Sequence, residues 1–216
     1  MLSMTMIKTV HVAIYPTWAD WEPAHLTSRA NNRAWQREPG AFRVCTVADS
    51  LEPVVSMGGM RVLPDLTFAD LSPQDSAMLV LPGADVWDVD PSDSVTGPAL
   101  CAAREFLSAG VPVAAICGAT AGLARAGLLD DRDHTSSALE YLLHAGGAYA
   151  GSARYVQEAV VTDRGLITAG PTHPVEFARA ALDLLGVFPP QVLDAWYRLF
   201  GQHDPTAFAA LAAAPA

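Results

Sequence analysis

Val111-Pro112-Val113-Ala114-Ala115-Ile116-Cys117-Gly118-Ala119-Thr120-Ala121-Gly122 decides how this chain folds. An apolar run of strand length ends on a cysteine, and small residues follow it. A parallel strand covered on both faces reads as such a near-continuous apolar run. Small residues after its last position let the backbone turn sharply into a helix and expose the side chain at the turn. The stretch therefore predicts a strand, a cysteine at its carboxyl end and a helix starting at Gly118. It departs from the strict glycine-x-nucleophile-x-glycine elbow, because Ala115 and Ala119 stand where that pattern has glycine. At a helix N-terminus the dipole and unpaired N–H groups favour thiolate, so the Cys117 pKa is expected to fall. The competing reading is a buried structural cysteine.

Working outward, the same alternation of β-branched runs and amphipathic segments recurs, the signature of parallel strands joined by crossover helices. Strands are expected over 9–15, 42–47, 77–81, 111–116 and 166–169, and helices over 20–36, 98–109, 118–126, 138–145 and 174–185. The result is an α/β sandwich with a mostly parallel sheet. Residues 54–63, with Gly58-Gly59 inside, read as a small hairpin added to that sheet. Residues 155–168 read as two more strands around Asp163-Arg164-Gly165. After Pro189-Pro190 comes an amphipathic segment, 192–200, and then an Ala-rich tail expected to be partly disordered.

Composition narrows the partners. The 216 residues carry no linker-like stretch, so one domain over 1–216 is expected, with a core at about 8–186 and a helical extension over 187–216. Hydrophobic residues at 51% against 17% charged exclude wholesale disorder. A net charge of −10 without a basic patch argues against nucleic acid and anionic membranes. Residues 1–8 are too short and weakly apolar for a secretory leader, and no run of 18 apolar residues occurs. Cys45, Cys101 and Cys117 form neither a CxxC pair nor a metal spacing, and read as reduced thiols of a cytoplasmic protein. With no metal cluster, dinucleotide fingerprint or P-loop, no cofactor is expected.

Ligands of open parallel sheets bind outside the carboxyl ends of the strands. That rule selects residues 16–22, Pro82-Gly83-Ala84-Asp85, Cys117-Gly118-Ala119-Thr120 and 170–174. Cys117 is the candidate nucleophile, and the Gly118 N–H with that of Gly83 or Ala84 is the candidate oxyanion hole. Glu22 reads either as a dipole-compensating residue in a helix capped by Asp20 or, from its place beside Cys117, as a functional carboxyl group. His173, followed by Pro174 and Glu176, is either an oriented base or a turn residue. Cys45, within a strand, and Cys101, within a helix, read as structural.

Taken together, 115–121 running on to 124–129, Leu79-Val80-Leu81-Pro82-Gly83, Asp20-Trp21-Glu22, and 166–170 leading to Glu176-Phe177-Ala178 resemble the ThiJ/PfpI superfamily within the class I glutamine amidotransferase-like fold. The resemblance implies a flavodoxin-like three-layer sandwich, commonly a homodimer, with Cys117 as reactive thiol and Glu22 hydrogen-bonded to it. Many hydrolytic or glyoxalase-type relatives carry a histidine directly after the cysteine or some twenty residues beyond; here those positions hold Gly118 and Ser137. His173 would then be the substitute base. Two functions stand in front: a cysteine-dependent hydrolase or amidotransferase-like enzyme acting on a small electrophilic molecule, and a stress-response protein whose Cys117 oxidises without turnover.

Overall fold

The computed structural model describes residues 7–90 and 92–214. Of residues 1–8, read above as no secretory leader, only Ile7 and Lys8 are described; the end of the tail, Pro215 and Ala216, also lies outside. The strands run Lys8–Ala13 (β1), Phe42–Ala48 (β2), Val54–Val55 (β3), Arg61–Val62 (β4), Leu66–Thr67 (β5), Ser76–Leu81 (β6), Val113–Ile116 (β7), Val160–Asp163 (β8) and Leu166–Ala169 (β9). The α-helices run Ala24–Asn31 (α1), Val86–Val89 (α2), Gly97–Ser108 (α3), Ala119–Arg125 (α4), Leu139–Ala145 (α5), Pro174–Leu185 (α6), Pro190–Phe200 (α7) and Phe208–Ala212 (α8).

One sheet has the order β5-β2-β1-β6-β7-β9-β8, parallel throughout except for β8 against β9. Flanked by helices, it is the flavodoxin-like α/β sandwich expected. Met78–Leu81 and Val113–Ile116 are buried at every position, as strands covered on both faces must be. β7 starts two residues later than its apolar run: Pro112 has no N–H for the ladder, and its carbonyl accepts from Leu79 N at 3.0 Å. The chain moves from β1 to β2 on one side, and to β6, β7 and β9 on the other. That reversal opens a crevice at the carboxyl ends of β1 and β6.

The turn between β8 and β9 is the one the sequence signals, with Arg164 and Gly165 both at positive φ (+45° and +79°), the two-residue turn that matches strand twist. The 54–63 hairpin forms, but β3 and β4 pair only with each other rather than joining the main sheet. It is held by the loop after β1, through Thr17 N to Val55 O (2.9 Å) and Met57 N to Trp18 O (2.9 Å). The sheet edge beyond β2 is taken instead by β5, a two-residue strand too short to carry a period.

Helix α6 has the expected bounds and ends on Gly186, at φ +62°, with Val187 N bonded back to Leu182 O at 3.0 Å. Helix α1 is much shorter than 20–36: it opens after Pro23, and Gln36 Nε2 donates to the Ala30 carbonyl at 3.0 Å, closing its C-terminal end. The Ala-rich tail is ordered as far as it is described. Its helix α8 buries Leu211 against the end of the chain's apolar core, to which α7 adds the fully buried Trp196. Among the described residues, no helix is long and apolar enough to cross a membrane.

Candidate active site

Cys117 leaves β7 with φ +59°, a left-handed conformation that costs a non-glycine residue about 1–2 kcal/mol. The strain persists because hydrogen bonds fix both sides of the residue: Cys117 N donates to Ala169 O at 3.0 Å, and Cys117 O accepts from Thr120 N (3.1 Å) and Thr120 Oγ1 (2.6 Å). The small residues that follow have a concrete reason. A Cβ on Gly118 would stand 3.1 Å from Trp87 Cβ, and one on Gly122 would stand 2.2 Å from Trp87 Cζ3. The buried Trp87 is the floor of the elbow, fixed by Nε1 donating to Tyr15 Oη and to Pro82 O, each at 3.1 Å.

Glu22 reaches this point from the loop after β1. Asp20 does not cap a helix as expected. Its Oδ2 accepts from Ser56 Oγ and from Gly58 N (3.0 Å), tying the loop to the β3–β4 hairpin, while Pro23 occupies the N-cap of α1. Glu22 therefore lies before the helix, fully buried, and Oε2 accepts the Gly83 N–H at 2.6 Å. Its other oxygen, Oε1, has no aligned partner, and the Cys117 thiol stands beside the carboxyl group. Gly83 sits between them. A Cβ there would meet Cys117 Cβ at 2.8 Å, and Cys117 Sγ and Glu22 Oε2 at 3.0 Å each.

Burial raises the Glu22 pKa above the usual carboxyl value; the Gly83 hydrogen bond and the thiol pull it back only in part. The half-buried Cys117 thiol is pushed up to about 12, first by desolvation, then by the charge of Glu22, against the opposing Gly118 N–H. This reverses the expected direction. α4 is a short helix of 7 residues, and its dipole does not outweigh a desolvated thiol beside a carboxylate. The two groups titrate as a pair, holding one proton between the two steps.

Of the amides expected to form an oxyanion hole, that of Gly83 is committed to Glu22. The Gly118 N–H lies against the thiol. Ala84 N donates to no group among the described residues, because the bridge between Trp18 and Ala84 is closed by Ala19 N to Gly83 O at 2.8 Å. Ala84 is therefore the open donor.

His173 is at the N-cap of α6, on the same sheet edge, but its Nδ1 pairs with Thr172 Oγ1 at 3.1 Å and no hydrogen bond joins it to Cys117 or Glu22. It lines a separate hollow of about 350 Å³ with Ser136 and Glu158. Glu176, which would orient it in a His-Pro-Glu arrangement, accepts instead from Tyr197 Oη at 3.2 Å. Cys45 is half-buried in β2, and Cys101 is exposed on α3.

Two groups at the site have no sequence signal. Tyr141 of α5 donates its hydroxyl to Asp88 Oδ1 of α2 at 2.7 Å; the Asp88 charge acts on Cys117, and the Tyr141 hydroxyl in turn feels both Asp88 and Cys117. Asp88 follows Trp87 directly, so the floor of the elbow also positions this carboxylate.

Residues 8–184 match the model of the DJ-1/PfpI family. Two curated proteins of Bacillus subtilis are each 33% identical: one named uncharacterized protease YoaZ, over 93% of this chain and 94% of its own, and one named uncharacterized protease YdeA, over 87% and 88%. Among solved structures, a thiJ/pfpI family protein from Bacillus anthracis superposes with TM-score 0.88 at 33% identity, covering 98% of this chain and 99% of that one. With the cysteine elbow, the buried glutamate and the sheet order in place, these likenesses agree on one conclusion: the chain belongs to the DJ-1/PfpI family.

Proposed function

We propose that this protein is a cysteine-dependent hydrolase or amidotransferase-like enzyme that acts on a small electrophilic acyl or carbonyl compound. The observation that carries the reading is the pairing of a strained, half-buried Cys117 with a fully buried Glu22 carboxyl group. In the resting state one proton serves both. As Sγ adds to the substrate carbon, Glu22 accepts the thiol proton, and the carbonyl π electrons move to oxygen, where the Ala84 N–H meets the new charge. Glu22 then returns the proton to the leaving group. Water, deprotonated by the same carboxylate, releases the acyl group from sulfur. Glu22 is thus the general base and acid, and His173 is left outside the proton path. The protease names of the two Bacillus subtilis relatives support a hydrolytic class.

The test is hydrolysis of small activated esters and amides by wild type, Cys117→Ala, Glu22→Gln and His173→Ala, with acyl-enzyme sought by intact mass. Turnover lost in the first two variants and kept in His173→Ala is expected. No turnover and no acyl adduct on Cys117 would overturn the reading. A second reading draws on the absence of any hydrogen-bonded histidine at Cys117: oxidation by peroxide, in which sulfur takes one oxygen, the O–O bond breaks and water leaves. Oxygen gain at Cys117 under mild peroxide, without turnover, would favour it.

A further inference from the structure

Charge around Cys117 is one-sided. Glu22 stands beside the thiol, and Asp88 of α2 directly follows Trp87, whose Cβ would stand 3.1 Å from a Cβ on Gly118, so its charge also acts on the thiol. The cation that acts on Tyr141 is not free to answer them. Arg125 reaches Tyr141 electrostatically, but its guanidinium is bound to Asp93 at 2.6 Å and to the Ala145 carbonyl at 2.8 Å. Asp88 is exposed, and among the described residues its side chain accepts from the Tyr141 hydroxyl, which leaves most of its acceptor capacity facing solvent. Tyr141 spends its only proton on Asp88 and can offer an incoming molecule nothing but lone pairs. Asp88 and the Tyr141 oxygen thus present acceptors and negative charge beside the elbow, while Glu22 Oε1 lies buried without an aligned partner.

We propose that the Asp88–Tyr141 pair is a charge filter, admitting neutral or cationic electrophiles to Cys117 and turning away anionic ones such as 2-oxo acids and other carboxylates. An anion approaching the thiol is repelled by the exposed Asp88 carboxylate. A molecule carrying N–H groups finds the Tyr141 oxygen and the free Asp88 oxygen as acceptors. This inference rests on the reading of Cys117 as a nucleophile.

The experiment compares alkylation of Cys117 by neutral iodoacetamide and anionic iodoacetate, resolved by peptide mass and normalised to the ratio for 2-mercaptoethanol. The ratio is the readout, because removing Asp88 also eases ionisation of the thiol and raises both rates. Iodoacetamide is expected to be favoured well beyond the free-thiol ratio. Asp88→Asn should shrink that preference roughly fivefold, the size of one unit charge acting across several ångströms of partly aqueous medium. Tyr141→Phe, which keeps Asp88 charged, should retain the preference, and about 1 M salt should compress it. A normalised ratio of one in wild type overturns the filter while leaving the nucleophile standing. A preference that survives Asp88→Asn in full overturns the assignment to this pair. A Cys117 inert to both reagents overturns the nucleophile reading, and the filter with it.

Discussion

Gly122→Ala sets two physical effects against each other. In an isolated helix, alanine in place of glycine stabilises by about 1 kcal/mol. In α4 the added methyl would lie 2.2 Å from Trp87 Cζ3 and 2.5 Å from Cε3. Carbon atoms need about 3.5 Å, so the indole must retreat by roughly 1.3 Å. It has no slack for that: Trp87 is fully buried, bonded through Nε1 to Tyr15 Oη and Pro82 O, and set edge-to-face against Tyr15 at 5.2 Å. Overpacking costs about 1–3 kcal/mol, and a buried indole N–H pulled off its acceptors costs about 1–3 kcal/mol more. The clash wins, for a net loss of about 3 kcal/mol. With a urea m-value of roughly 2 kcal/mol/M for this size of protein, the midpoint should fall by about 1.5 M. Gly97→Ala is the control, since a Cβ there meets nothing within 4 Å; its midpoint should hold or rise slightly. Urea denaturation followed by far-ultraviolet circular dichroism is sufficient. If Gly122→Ala matches or exceeds wild type at unchanged m, Trp87 is not the floor of the elbow and the account of the small residues after Cys117 is wrong.

Three further perturbations separate the parts of the site. Gly83→Ala forces a methyl against Cys117 Cβ at 2.8 Å, so it should cost about 1–3 kcal/mol and change the Cys117 alkylation rate; an unaltered rate would contradict the packing. Glu22→Gln addresses the buried carboxyl group. Because folding raises the Glu22 pKa, its contribution is fully present below the ordinary 4.5 and is lost as pH rises through the folded value. The variant should therefore gain in urea midpoint over wild type at pH 8 and lose that advantage near pH 4, the opposite trend being the failing result. His11, buried in β1 with both ring nitrogens unpartnered, has a lowered pKa because burial disfavours its charged form. Its stabilising share is lost as pH falls below the ordinary 6.5, so His11→Leu should stabilise more at pH 5 than at pH 8. A benefit that shrinks on acidification would show that His11 is not held neutral.

The sequence carries the frame of this molecule because burial on both faces writes itself as continuous apolar runs, and because Pro174, Gly186 and Arg164-Gly165 punctuate it with fixed backbone geometry. Cys117 was legible for the same reason, standing where such a run stops. What the sequence does not carry is which partner a polar group finds across the fold. Asp20 has the composition of a helix cap, yet it binds Ser56 and Gly58, brought to it by the hairpin. The Gly83 N–H has the position of an oxyanion donor, yet it is used to hold Glu22. The direction of the Cys117 shift follows from that second fact, since it is the neighbour so held, together with burial, that outweighs the dipole of α4. Asp88 and Tyr141 are 53 residues apart, and no local pattern pairs them.

Burial and the charge of Glu22 raise the Cys117 pKa, so at neutral pH the proton of the pair is favoured on sulfur. An ionised carboxylate beside the thiol disfavours a preformed thiolate. The proposed mechanism needs no preformed thiolate, because in it the proton leaves sulfur only as the new bond forms. In that proposal Glu22 takes it, and its own raised pKa brings it closer to the thiol in proton affinity. The strained φ of Cys117 turns Sγ toward that carboxyl group instead of into the layer beneath, where Trp87 fills the space. The glycines at 83, 118 and 122 are then parts of one device, the first admitting the thiol to the acid and the other two admitting the elbow to the indole.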